Sequence, residues 1–368
     1  MKILRKILVS FILWFSAALF FYLVRIYGNE ELPPFNRTLD FDWLRFILEM
    51  AIFGLSVGIP FTFVDYVYEY PKVKKLSYWK IIGLQTILQV IIGLLSLIFL
   101  VVFIRGVFQE LIGHEIFQNP WLLVKSKTGF LWLFYITAIN LIIYVFKVVR
   151  AKIGNRVFTN LLLGKYHFPR EESRIFMFLD MKDSTVYGEK LGHIKFSALI
   201  QDCFGDLTEA IKKHKAEVYQ YVGDEAILTW KIKNGLQSLH CLSTYFSFMD
   251  TLQSRGEFYM SKYGFQPFFK AAVHIGPVTV AEVGIVKREI AYHSDVLNTT
   301  ARIQSKCNEL NASLLISQDL MKKLDQKWDY SIKPVGSLFL KGKSEPESLF
   351  KVNRKQIKWE NSRIKNDS

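Results

Sequence analysis

Cysteine is scarce in this 368-residue chain, and the three present, Cys203, Cys241 and Cys307, stand far apart without paired spacing. That excludes a disulfide framework and points to reduced thiols packed in a core. The sequence also lacks a zinc-finger spacing and the stacked-aromatic signature of a nucleic-acid binder. Charged residues make up 22% against 51% hydrophobic, more apolar than an ordinary soluble protein. The formal net charge of +14 is therefore not read as a nucleic-acid footprint. Much of it lies beside apolar stretches, where Lys and Arg orient membrane spans and meet anionic lipid.

Four such stretches precede residue 150: Ile7 to Val24, Phe46 to Val64, Ile81 to Ile104 and Phe130 to Phe146. Each is near the length a helix needs to cross a bilayer. The first follows Lys2, Arg5 and Lys6 as a signal peptide would, but Phe20, Phe21 and Tyr22 stand where a small-residue cleavage site belongs, so it reads as a retained anchor. Lys72, Lys74, Lys75 and Lys80 follow the second stretch, and Lys147, Arg150, Lys152 and Arg156 follow the fourth. The basic bias predicts a multi-pass protein of the cell membrane with both termini cytoplasmic and the lipid bilayer as a partner. The two outer loops are too short to fold as sensor domains. Glu49 and Asp65 lie near the ends of the second span and read as solvated at an interface. Gly54, Gly58 and Pro60 loosen that span, but few charged or broken positions line a path, which disfavours a transporter.

Four segments follow: a four-span α-helical transmembrane region over 1–150, a coupling helix and linker over 151–170 ended by Pro169, a soluble α+β domain over 171–353, and a polar tail over 354–368. Within the soluble domain, Arg174 to Asp180 is an apolar run ending in an acid, as expected of a buried strand. Ser184 and Thr185 suit a helix cap, and apolar residues from Phe196 to Ile211 repeat at helical spacing. Ala216 to Trp230 reads as two β-rich arms joined at Gly223-Asp224, a tight-turn signal. A helix near Ser238 to Lys262, a strand Phe268 to His274, a Gly276-Pro277 turn, a strand Val278 to Val283 and a helix Leu297 to Leu310 complete the reading. The order β-α-β-β-α-β matches a ferredoxin-like sheet with helices on one face.

In that sheet the end of the first strand lies beside the hairpin turn, so Asp180 and Asp224 come together. An acid at a hairpin tip can be turn chemistry alone. Two acids at adjacent strand tips, with no His or Cys cluster nearby, form instead a hard-oxygen site suited to Mg²⁺ or Mn²⁺. A pair of such ions serves nucleotidyl transfer, in palm-type polymerases and nucleotide cyclases alike. The stretch Asp295 to Arg302, DVLNTTAR, places Asn298 and Arg302 one helical turn apart, where an amide and a guanidinium can address one phosphate-bearing ligand.

With FLDMKDST (Phe178 to Thr185), YVGDEAILTW, FKAAVHIGPV (Phe269 to Val278), DVLNTTARI and LKGKSEPESLFKV (Leu340 to Val352) in this order, the chain resembles the class III adenylate and guanylate cyclase catalytic domain over roughly Glu172 to Val352. The resemblance implies that Asp180, Asp224 and the Met181 carbonyl bind two metal ions. It further implies that Asn298 orients the ribose, Arg302 stabilises the α-phosphate transition state and Lys341 holds the terminal phosphates of ATP or GTP. Sites shared across a homodimer are implied as well. The positions that select the base in this family hold Gln220 and Ala291, which leaves ATP, the expected substrate, and GTP both open. Ser294 also replaces the glycine usual before Asp295. A catalytically silent nucleotide-binding receptor is a second reading, disfavoured because both acids and Arg302 are retained. The Gly-Gly-acid-acid turn of diguanylate cyclases is absent.

Overall fold

The computed structural model describes residues 2–28, 43–68, 78–107, 127–286, 288–324, 330–339 and 346–355. They form two compact units, Met1–Lys152 and Ile153–Ser368.

The first unit holds four long helices, α1 (Lys2–Gly28), α2 (Trp43–Tyr68), α3 (Tyr78–Val107) and α4 (Lys127–Ile153), at the four apolar stretches. Trp14, Ala18, Phe53, Val57, Phe61 and Ile136 pack in its centre. Polar side chains lie inside too: Thr62, Gln85, Gln89, Ser96 and Asn140 are buried, while Phe63, Leu95, Phe130 and Phe134 are each more than 60% exposed. Among the described residues one helical window, Leu133–Arg150, is long and apolar enough to cross a membrane, and shorter apolar stretches occupy Lys6–Phe20, Met50–Val64 and Gly83–Ser96.

The second helix, α2, is packed rather than loosened. Pro60 lacks the N–H that would bond the Ser56 carbonyl, and the Ser96 hydroxyl of α3 donates to that oxygen at 3.2 Å. At Gly58 the α1 backbone lies so close that an added Cβ would stand 3.2 Å from the Phe11 nitrogen. Side chains at Glu49 and Asp65 lie outside the described set.

In the second unit, α5 (Asn155–Leu162) follows Gly154 at φ 94° and stops at Leu163, so the break comes before Pro169. The strands and helices that follow are β1 (Arg170–Met181), α6 (Ser184–Lys213), β2 (Glu217–Val222), β3 (Glu225–Lys231), α7 (Ile232–Leu236), α8 (His240–Ser254), α9 (Gly256–Tyr263), β4 (Phe269–Val283), β5 (Glu289–His293), α10 (Asp295–Ser305), β6 (Leu314–Ser317), α11 (Gln318–Met321), β7 (Tyr330–Leu338) and β8 (Glu347–Arg354). One sheet runs in the order β2-β3-β1-β4-β6-β8-β7, with β5 added on β4. Its β4-β1-β3-β2 portion is antiparallel throughout, the order expected of a ferredoxin-like βαββαβ unit.

Three expectations are corrected. Helices cover both faces, because β1 is apolar on both: Ile175, Met177 and Leu179 join the core under α6 and α8, and Phe176 and Phe178 pack with Val296 of α10. Gly276-Pro277 is not a turn, since β4 runs through it in register with β1, Pro277 opposite Ser173. Pro277 falls between the β6 pairings at Ala271 to Val273 and the β5 pairings from Thr279, where no neighbouring strand asks for its missing N–H. The cap of α6 is Asp183, at φ 58°, with Ser184 the first helical residue. All three cysteines are buried free thiols.

Gly276 sets how closely α10 approaches the sheet, for a Cβ there would stand 2.5 Å from Val296 Cγ2. Gly276→Ala should cost about 1–3 kcal/mol and lower the melting temperature. An unchanged melting temperature would show that α10 is not held by this contact.

Candidate active site

The antiparallel register pairs Asp180 with Glu225 on one side and with Lys270 on the other. Gly223, at φ 60°, turns β2 into β3 and lifts Asp224 beside the tip of β1. The Asp180 and Asp224 carboxyls thereby come within hydrogen-bonding reach. Burial first, and the Asp224 charge second, push the Asp180 carboxyl up to about 6. Burial, then Asp180 and Asp224, push Glu225 up to about 7. Asp224 Oδ2 is buried with no hydrogen-bond partner. Three crowded acids with an orphaned oxygen fit a hard divalent cation, whose charge would offset the repulsion that raises these groups.

Sequence reasoning missed three neighbours of this cluster. Glu225 is its third acid, readable in hindsight from the hairpin register. Gln304 Nε2 donates to Asp180 Oδ2 at 3.0 Å, two residues beyond Arg302 on α10. Lys270 is buried, bonds Asn308 Oδ1 and pulls the Asp180 carboxyl downward, partly countering the acids.

Met181 ends β1 with its side chain in the core, leaving only its backbone at the strand tip. On α10, Asn298 is exposed and Arg302 half-buried. At 100° per residue, their face of the helix is turned roughly 200–240° from Gln304. The chain therefore brings Asp180 and Asp224 together but turns Asn298 and Arg302 away from them. Ser294 explains its own presence: its hydroxyl caps α10 by accepting from Val296 N at 3.0 Å and donates to the Pro277 carbonyl at 2.7 Å. Its backbone is extended, so glycine is not required there.

Gln220 is exposed, just past an irregularity in the β2 pairing, and sits opposite Ile227. Ala291 lies on β5 opposite Ala281, between Ile290 and Tyr292. Tyr219 and Tyr292, the neighbours of these two positions, meet edge to face with centroids 4.9 Å apart. Tyr166, from the segment leading into β1, is buried in the same cluster and its carbonyl accepts from Glu282 N at 2.9 Å. Lys341 lies outside the described residues.

A ferredoxin-like sheet with paired acids at a strand tip and the adjacent hairpin defines the palm-like class shared by polymerases and nucleotide cyclases. The adenylate and guanylate cyclase catalytic domain matches residues 168–353, just over half of the chain, and the chain belongs to that family. Adenylate cyclase 2 of Rhizobium meliloti (strain 1021) is 31% identical over 204 residues, which cover 55% of this chain and 56% of the relative. The chain thus spans little more than half the length of that relative. Two structures of a bacterial light-regulated adenylyl cyclase share the fold. One is 17% identical with a TM-score of 0.52, covering 66% of this chain and 68% of the other. The second is 16% identical with a TM-score of 0.51, covering 61% and 65%.

The raised acids fix a sign for the pH dependence. The folded chain holds protons on Asp180 and Glu225 that the unfolded chain gives up near pH 4, so stability falls as pH rises through about 4 to about 7. Asp180→Asn should therefore stabilise the divalent-free chain at pH 7.5, by on the order of 1 kcal/mol, and Mn²⁺ should raise the melting temperature of the parent more than that of the variant. A lower melting temperature, or an undiminished Mn²⁺ effect, would contradict the repulsion argued for this cluster.

Proposed function

We propose that this chain is a membrane-anchored nucleotide cyclase, acting on ATP to give 3′,5′-cyclic AMP and pyrophosphate, with its two sites shared across a homodimer. The observation that carries the reading is the acid cluster: Asp180 and Asp224 side by side, with Asp224 Oδ2 buried and without a partner. Asp180, Asp224 and the Met181 carbonyl would hold two Mg²⁺ or Mn²⁺ ions, which when bound acidify the ribose 3′-hydroxyl and neutralise phosphate charge. Asn298 orients the ribose, and Arg302 meets the negative charge that grows on the α-phosphate as the 3′-oxygen attacks phosphorus. Lys341 holds the terminal phosphates, which depart as pyrophosphate.

The homodimer is supported by the direction of α10. Its Gln304 faces the acids of its own chain, so Asn298 and Arg302 project from the other face, where a second chain would bring its acids. Membrane anchoring is supported by the first unit's surface, where Phe63, Leu95, Phe130 and Phe134 are exposed while Gln85, Gln89 and Asn140 are buried. In lipid that arrangement hides the polar groups and solvates the apolar ones.

ATP is the substrate favoured by the adenylate cyclase relative. Gln220 can donate to or accept from either purine, so guanylate cyclase is the second reading. Purified full-length protein given ATP or GTP with Mn²⁺ should form cyclic AMP in excess. Cyclic GMP in excess would favour the second reading, and no cyclic product from a dimeric preparation would overturn the function itself. Asp224→Ala and Arg302→Ala should each lower turnover on the order of a hundredfold or more, and mixing the two inactive variants should restore part of it. No recovery in verified mixed dimers would refute shared sites.

A further inference from the structure

The sheet carries a second set of metal-ligating side chains away from the acids of the active site. His274 lies opposite Phe176 in the β1–β4 register, four residues along β4 from Lys270, or about 13 Å at 3.3 Å per residue. It is 3% exposed. A nitrogen of its ring and carboxylate oxygens of Asp319 and Glu347 all lie within 4.8 Å of one another. These residues come from three separate elements: the middle of β4, the first turn of α11 and the first residue of β8.

We propose that His274, Asp319 and Glu347 form a binding site for one Zn²⁺ ion. One imidazole with two carboxylates is a borderline donor set, which suits zinc better than the all-oxygen sites taken by Mg²⁺ or Ca²⁺. The ring is already held for this task. His274 Nδ1 bonds Ser317 Oγ at 2.7 Å, and that same oxygen accepts from Leu320 N as the cap of α11. With Nδ1–H donating to Ser317, the lone pair on Nε2 serves the metal, the usual division of labour for a ligating histidine. Asp319 is exposed, and its carboxylate already stands within that 4.8 Å set. Three protein ligands leave a fourth tetrahedral position to water. The ion ties the start of β8, which follows the Lys341 segment in sequence, to the middle of the sheet.

The test uses the full chain carrying Asp180→Asn and Asp224→Asn, which removes divalent binding at the active site. After chelator treatment and dialysis against Zn²⁺, elemental analysis should find about one zinc per chain, and Co²⁺ in its place should give visible absorption bands of a nitrogen- and oxygen-ligated ion. Adding His274→Ala, Glu347→Gln or Asp319→Asn should each weaken zinc binding roughly tenfold or more. Asp319→Asn changes an exposed side chain, so its loss of zinc with an unchanged circular dichroism spectrum separates ligation from misfolding. No retained zinc in the parent, or undiminished zinc in Asp319→Asn and Glu347→Gln, overturns the site.

Discussion

Repulsion between carboxylates at the tip of β1 is the constraint on which the candidate active site depends. The β1–β3 register forces it, because pairing Asp180 with Glu225 leaves Asp224 at the turn with nowhere to go but alongside. The sheet holds that arrangement by burying β1 on both faces, so the acids cannot relax apart without disturbing the core beneath them. Lys270 and Gln304 soften the repulsion from two sides without removing it. Three acids crowded in this way present the repulsion that the proposed divalent cation would offset.

Much of this was legible in the sequence because it depended on local signals. The Gly223-Asp224 turn, the apolar run into Asp180 and the Asn298–Arg302 spacing are each set by neighbours in the chain. What escaped depended on contacts between distant segments. Nothing local marks Gln304 as a partner of Asp180, 124 residues earlier. Gly276-Pro277 reads as a turn until β1 is seen to run alongside it. The second helical layer was missed because the ferredoxin-like order was read with helices on one face, whereas β1 and β4 are buried on both.

The first unit poses the opposite problem. Its helices fall where the apolar stretches put them, but hydropathy alone said nothing about Gln85, Gln89, Ser96 and Asn140 lying inside. Ser96 illustrates the physics: an ordinary polar residue on one helix completes the backbone of another where proline leaves a carbonyl unmet. Gly58 contributes by its size, letting α1 and α2 approach closely enough that Ser10 also reaches the Gly58 carbonyl at 3.0 Å.

The Gln304–Asp180 bond ties α10 to the acid cluster of its own chain. In a dimer with shared sites, α10 answers to both: through Gln304 it senses the acids of its own chain, and through Asn298 and Arg302 it serves nucleotide held by the other. A cation that drew Asp180 away from Gln304 would alter the helix on which the proposed neighbouring site relies. In the proposed dimer, occupancy at one site would then bear on the other, and the two turnovers would be coupled.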